Sequence, residues 1–193
     1  MPLNLQNKPL EPFNVLAFDP GGTTGWAWAS LHMDQLDHPT LVKMEDIYLE
    51  TGEFENSPEG HYRELHEFIA VAPTRLDTPL EVVFEPFTYR QHITEGKDGG
   101  PQASRHKVEL ISAEYIGVIK LACSQLGLTY YDRFTPGEAK SYVTNEKLAL
   151  LGWLQEPPYP MRHRNDALRQ LVKYLIVRKG VKHPITNAWR RTT

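Results

Sequence analysis

Cysteine is nearly absent from this chain: Cys123 stands alone among 193 residues. One thiol excludes an internal disulfide framework and fits a reducing compartment. It lies in an apolar stretch of helical spacing and reads as a buried, inert thiol rather than a nucleophile. No apolar run is long enough to span a bilayer and no signal peptide is evident, so a cytoplasmic location is expected. Net positive charge is missing too. A formal charge of -3 argues against a protein that coats nucleic acid by bulk attraction. It does not exclude a nuclease, whose carboxylates subtract from the total while basic residues elsewhere hold phosphates. There is no internal repeat and no low-complexity segment. What remains is ordinary for a globular domain, with 40% hydrophobic and 23% charged residues. The length predicts one domain with room for a sizeable core, and 15 prolines with 13 glycines predict many loops.

The most informative local pattern is Val15-Leu16-Ala17-Phe18-Asp19 followed by Pro20-Gly21-Gly22-Thr23-Thr24-Gly25-Trp26. It reads as a buried strand that delivers a carboxylate into a tight, Gly-rich turn. An unpaired buried charge is costly, so the acid calls for a metal, a phosphate or a cationic partner. The bland alternative is an Asp that caps the turn.

Along the chain, Met1 to Phe13 reads as a loose arm. The first strand is Val15 to Phe18, an antiparallel second strand runs from Gly25 to Ser30, and Leu31 to Thr40 is loop. Ile47 to Phe54 is a third strand, with a bulge or bend at Thr51-Gly52. Tyr62, Leu65, Phe68 and Ile69 place a helix over Glu59 to Val71. Leu80 to Glu85 is a β-rich run that again ends in an acid. Tyr89 to Ser104 reads as a mobile loop. Val108, Ile111, Tyr115, Val118 and Ala122 give a long helix to Leu126, stopped by Gly127. Leu128 to Arg133 is a strand candidate. Thr135-Pro136-Gly137-Glu138 opens a short helix through Tyr142, and another helix covers Glu146 to Leu154. Pro157 to Pro160 is a stiff connector. Leu168, Leu171, Val172, Leu175 and Ile176 line the inner face of a last helix, and the tail beyond Gly180 is basic. The expected division is an arm over 1–13, one domain over 14–179 and a tail over 180–193. The order of elements predicts an α/β fold, a mixed sheet with helices on both faces.

Three places stand out for chemistry: Asp19, Glu85, and the pair His163 and Asp166. If the strands ending at Asp19 and Glu85 are parallel neighbours, both acids emerge at one sheet edge, where α/β sheets bind ligands. His163 and Asp166 are three apart and share a side of the last helix. Hard oxygen ligands suit Mg²⁺ or Mn²⁺, and two such ions about 4 Å apart can activate a water and stabilise the leaving oxygen of a phosphodiester. Each residue also has a bland role. Glu85 can be an edge-strand acid and His163 a surface histidine. Asp166 lies by helical angle opposite the apolar stripe, so periodicity alone assigns it to solvent. Lys140 on its short helix is by default a solvated charge. Phe87 and Tyr89 can stack on bases or pack under their loop. Arg90, Lys97, Arg105 and Lys107 form a polar basic loop that can hold phosphates or do nothing.

Taken together, these segments resemble the RuvC-type Holliday-junction resolvases of the RNase H-like superfamily. Leu16 to Gly21 with Gly25 resembles the family's first strand and its DPG turn, and Val83-Phe84-Glu85 its acid-ending strand. Phe134 to Thr144 resembles the segment Y-x-P-x-x-V-K-x-x-V-T. His163-Arg164-Asn165-Asp166-Ala167 resembles the start of the last helix. The matches span residues 14 to 178 in order, and the variant looks most like the RuvC-like proteins of bacteriophages. The resemblance implies a homodimer and Mg²⁺- or Mn²⁺-dependent hydrolysis of DNA at four-way junctions, with no covalent enzyme intermediate. It implies that Asp19, Glu85 and Asp166 are metal ligands, that His163 binds metal or handles a proton, and that Lys140 meets phosphate or developing charge. The family's Gly-rich stretch is replaced here by Asn145-Glu146-Lys147, where Lys147 is the candidate to keep the basic role. Phe87 and Tyr89 are the candidates for the aromatic that opens the junction, with Pro86 altering the local geometry.

Rival classes make different demands. A phosphotransferase of the actin and sugar-kinase class also begins Asp-x-Gly-x-Thr, but it needs a second domain and a second Asp-Gly-Gly element, which this chain lacks. A non-catalytic DNA-binding relative would have no need of four aligned polar residues. A broader flap or fork endonuclease would share all of them.

Overall fold

The computed structural model describes residues 11–31, 47–55, 61–72, 78–87, 93–95, 101–103, 108–155 and 162–181. Its centre is a five-stranded mixed sheet in the order β3-β2-β1-β4-β7, from β1 (Phe13–Asp19), β2 (Thr23–Leu31), β3 (Tyr48–Glu55), β4 (Leu80–Phe84) and β7 (Thr129–Tyr131). The first three strands form an antiparallel meander, and β4 and β7 then add in parallel beyond β1. Helices α1 (His61–Val71) and α2 (Val108–Leu126) cover one face; α3 (Pro136–Tyr142), α4 (Asn145–Leu150) and α5 (Arg162–Tyr174) belong to the other. The α/β expectation from element order is met.

Strand alternation explains the two layers. In β1 the large residues Leu16 and Phe18 join Trp28, Val82 and Phe84 under α1 and α2. Its small partner Ala17, with Val15, Ala27 and Ala29, faces Leu168, Leu171 and Val172 of α5. Alanines on that face let α5 lie close to the sheet. Gly25 takes this furthest, because a Cβ there would stand 2.0 Å from the carbonyl carbon of His163.

Local signals set the ends of several helices. Thr135 and Glu138 close a reciprocal capping box on α3: the Glu138 N–H donates to Thr135 Oγ1 at 3.3 Å, and the Thr135 N–H donates to Glu138 Oε2 at 2.8 Å. Thr144 caps α4 through the Lys147 N–H at 3.4 Å. Gly127 takes φ +66° just past α2, the left-handed stop that its sequence position predicts.

Several expectations need correction. The segment expected to be a loop over Tyr89 to Ser104 contains a hairpin of β5 (Ile93–Glu95) and β6 (Pro101–Ala103). No bulge occurs at Thr51-Gly52, where register runs on unbroken as Thr51 opposite Ala27 and Gly52 opposite Trp26. Gly52 instead makes room for the Trp26 ring, since a Cβ would lie 2.5 Å from it. Helix α4 ends at Leu150 rather than Leu154, and α5 passes at Leu175–Lys179 into a π turn closed by Gly180 at φ +75°. Phe13, placed with the arm, is a buried β1 residue, and Val181, placed with the tail, is also buried. The connector Pro157 to Pro160 and most of the two terminal segments lie outside the described residues.

Candidate active site at the carboxyl ends of β1 and β4

Strands β1 and β4 are parallel and paired Phe18 to Phe84, so Asp19 and Glu85 leave the sheet side by side. The polar face of α5 closes over them. His163 Nδ1 lies 2.8 Å from Asp19 Oδ2. Gly25 permits this approach, and the Glu53 carboxylate on β3 accepts the first-turn Arg164 N–H at 3.1 Å. One turn further on, Asp166 Oδ2 pairs with Lys140 Nζ at 3.0 Å, while its Oδ1 accepts from Arg169. Arg169 also donates to the Val143 carbonyl at 3.1 Å and to Asn145 Oδ1, tying α5 to the α3–α4 junction. Gln170, fully buried, donates from Nε2 to Glu85 Oε1 at 2.9 Å. A cavity of about 430 Å³ opens beside this group, lined by Lys140, Thr144, Asn145, Glu146, Asn165, Asp166 and Arg169.

Burial dominates the electrostatics of the two strand-end acids. Glu85 is pushed up to about 7, first by burial, then by the Asp19 charge, with Asp166 adding to it. Asp19 is also raised, chiefly by burial, although the His163 hydrogen bond opposes the shift. His163 is raised because it bonds to Asp19. The Asp19–His163 pair therefore favours a shared proton, and Glu85 carries its charge poorly.

All four expected residues, Asp19, Glu85, His163 and Asp166, meet at this edge, and Lys140 joins them. Asp166 does not face solvent, as helical angle suggested: its side chain is 12% exposed, because α5 is covered on its polar stripe as well as its apolar one. Lys147 turns inward. Its Nζ donates to the Tyr142 carbonyl at 2.7 Å, and burial lowers its pKa. Phe87 is described and exposed, while Tyr89, Arg90, Lys97, Arg105 and Lys107 lie outside the described residues. Glu53, Arg169 and Gln170 were not anticipated. For Gln170 a signal existed, since it falls seven residues after His163 and four after Asp166, on one helical stripe.

Among the described residues, no three His, Cys, Asp or Glu side chains form a ready cage for one ion. Both Asp166 oxygens are taken by cationic side chains. The donor chemistry nevertheless suits a hard divalent cation: largely buried carboxylates, with burial and then Asp19 and Asp166 raising the Glu85 pKa, and an imidazole beside them. Added positive charge would relieve their repulsion.

No protein-family profile matches the chain, and no curated protein does. Among solved structures it is similar to one described as T. thermophilus RuvC in complex with Holliday junction substrate. The TM-score is 0.54 at 21% identity, over 88% of this chain and 98% of that one. The chain therefore has the RuvC-type, RNase H-like α/β fold. Among the described residues, no helix is long and apolar enough to cross a membrane.

Proposed function

We propose that this chain is a divalent-metal-dependent DNA endonuclease that resolves four-way junctions by paired nicks. The observation that supports this most is the convergence of Asp19, Glu85, His163 and Asp166 at one sheet edge, with Glu85 pushed up to about 7 by burial and then by the Asp19 charge. The fold likeness to a junction-bound RuvC supports branched DNA as the substrate class. We carry over from the motif resemblance that the chain is a variant of the bacteriophage type, acting in the cytoplasm of a bacterial or phage-infected cell.

Asp19, Glu85 and Asp166, with His163, would hold Mg²⁺ or Mn²⁺. Bound there, the cation supplies polarisation of the phosphodiester and of the attacking water. In the neutral His163 ring, an Nδ1 proton donated to Asp19 leaves Nε2 to take a proton or hold a cation. Lys140, with its side chain 53% exposed, can leave Asp166 for a phosphate oxygen. Arg169, 13% exposed and bound to two further acceptors, stays. A four-way junction has two-fold symmetry, and a paired cut requires two such sites, so the acting species is a homodimer. Phe87, and Tyr89 with Arg90, Arg105 and Lys107, are proposed to meet the DNA beside the cut.

The test is cleavage of a labelled immobile four-way junction, beside matched fork and linear duplexes, in Mg²⁺ or Mn²⁺. Symmetric nicks that disappear in Asp19→Asn and Asp166→Asn are expected. Equal cutting of forks would broaden the substrate to branched DNA in general, and tight junction binding without cutting in either metal would leave a non-catalytic DNA-binding protein.

A further inference from the structure

Gln170 has no task in the chemistry above, yet its placement is costly. It is fully buried, and so are its neighbours Ala167, Leu168, Leu171 and Val172. A leucine or methionine would fill that space with no polar group to satisfy. The amide is also only half satisfied. Nε2 donates to Glu85 Oε1 at 2.9 Å and, at 3.5 Å, reaches the Phe134 carbonyl. Its Oε1 has no hydrogen-bond partner among the described residues. Buried polar atoms left unpaired reduce stability and are uncommon, so what the amide does for Glu85 is the feature that accounts for it.

The two acids are held in contrasting ways. Asp166 is held by two cationic side chains, which orient it but also neutralise it. Glu85 is held by a neutral donor. An amide N–H removes the free rotation of the terminal carboxylate torsion, which is otherwise broad, and adds no formal charge to compete with a cation. Its second contact reaches the backbone just ahead of α3, the helix that carries Lys140. We propose that Gln170 is a positioning residue that fixes the Glu85 carboxylate for a divalent cation and couples it to the segment carrying Lys140; this rests on the metal-nuclease assignment of the site.

The experiment is calorimetric titration of the full chain with Mn²⁺ in the absence of DNA, for the wild type and Gln170→Met. A thermal melt in chelator accompanies each. Outer-shell hydrogen-bond partners typically account for roughly tenfold to a hundredfold in metal affinity. The expected result is a loss of that size, with a melting temperature equal to or above that of the wild type. In the Glu85→Gln background, Gln170→Met should cause no further loss. Should Gln170→Met fail to fold, Gln170→Asn carries the same test, because it keeps the amide but withdraws it by one methylene. Unchanged Mn²⁺ affinity in a folded variant, or an equal loss in the Glu85→Gln background, would overturn the proposal and leave the nuclease assignment standing. A wild type that binds no Mn²⁺ would overturn both.

Discussion

At the residue scale, Glu85 sets stability against its proposed function. Its carboxyl titrates at about 7 in the fold, against an ordinary 4.5. Between those values the folded chain keeps a proton that the unfolded chain has released, so stability falls as pH rises from 4.5 to 7 and stays lowered above it. Metal-free Glu85→Gln should therefore melt higher than the wild type at pH 8, with the two converging at pH 5. Mg²⁺ should raise the wild-type melting temperature at pH 8 and leave the variant largely unmoved; scanning calorimetry in chelator and in Mg²⁺ checks both. Lys140 gives a prediction of opposite signs. Because it occupies Asp166 Oδ2, Lys140→Met should tighten Mn²⁺ binding without DNA by roughly fivefold, or about 1 kcal/mol for a partly exposed pair, yet slow junction cleavage. Weaker Mn²⁺ binding would show that Lys140 does not compete for that oxygen. Cys123 is buried, with its thiol pushed up to about 11 by burial. In the folded protein at pH 8 it should resist a thiol reagent that labels it at once in denaturant.

At the element scale, α5 carries the site, and its seat on the sheet is set by absences of side chain. A Cβ at Gly25 would meet the His163 carbonyl carbon at 2.0 Å, and backbone cannot step aside as a flexible side chain can. Gly25→Ala should lower stability by about 1–3 kcal/mol, the usual range for overpacking, and weaken metal binding by moving His163 away from Asp19. Denaturant unfolding with a Mn²⁺ titration reads both. What was legible beforehand follows the same division. The strand–acid–turn at Asp19, the acid after β4, the extent of α2 and the Thr135 cap are written within a few residues, so local periodicity and turn chemistry reveal them. The surroundings of Asp166 depend on α3 packing against α5 from a distant part of the chain, and helical angle alone sent that residue to solvent. Gln170 shares a helical stripe with His163 and Asp166, but its tie to Glu85 is visible only once the two are placed side by side. The β5–β6 hairpin was hidden because its three-residue strands are too short to show a period.

At the scale of the whole molecule, parallel pairing of β1 with β4 is what turns two separate acids into one site. The crossover of meander and α1 between them brings residues 19 and 85 to the same sheet edge, and α5 adds His163 and Asp166 from the far end of the chain. On the proposed function, a site so assembled would cut one strand, and resolution of a junction would need two sites acting within one bound complex. The most direct measurement uses a supercoiled plasmid bearing an extruded cruciform, with product topology followed over time in Mg²⁺. Two coupled sites predict linear plasmid formed without build-up of nicked circles, and no product from Asp19→Asn. Nicked circles accumulating first, or an intact plasmid at saturating protein and metal, would contradict a dimeric junction-resolving nuclease.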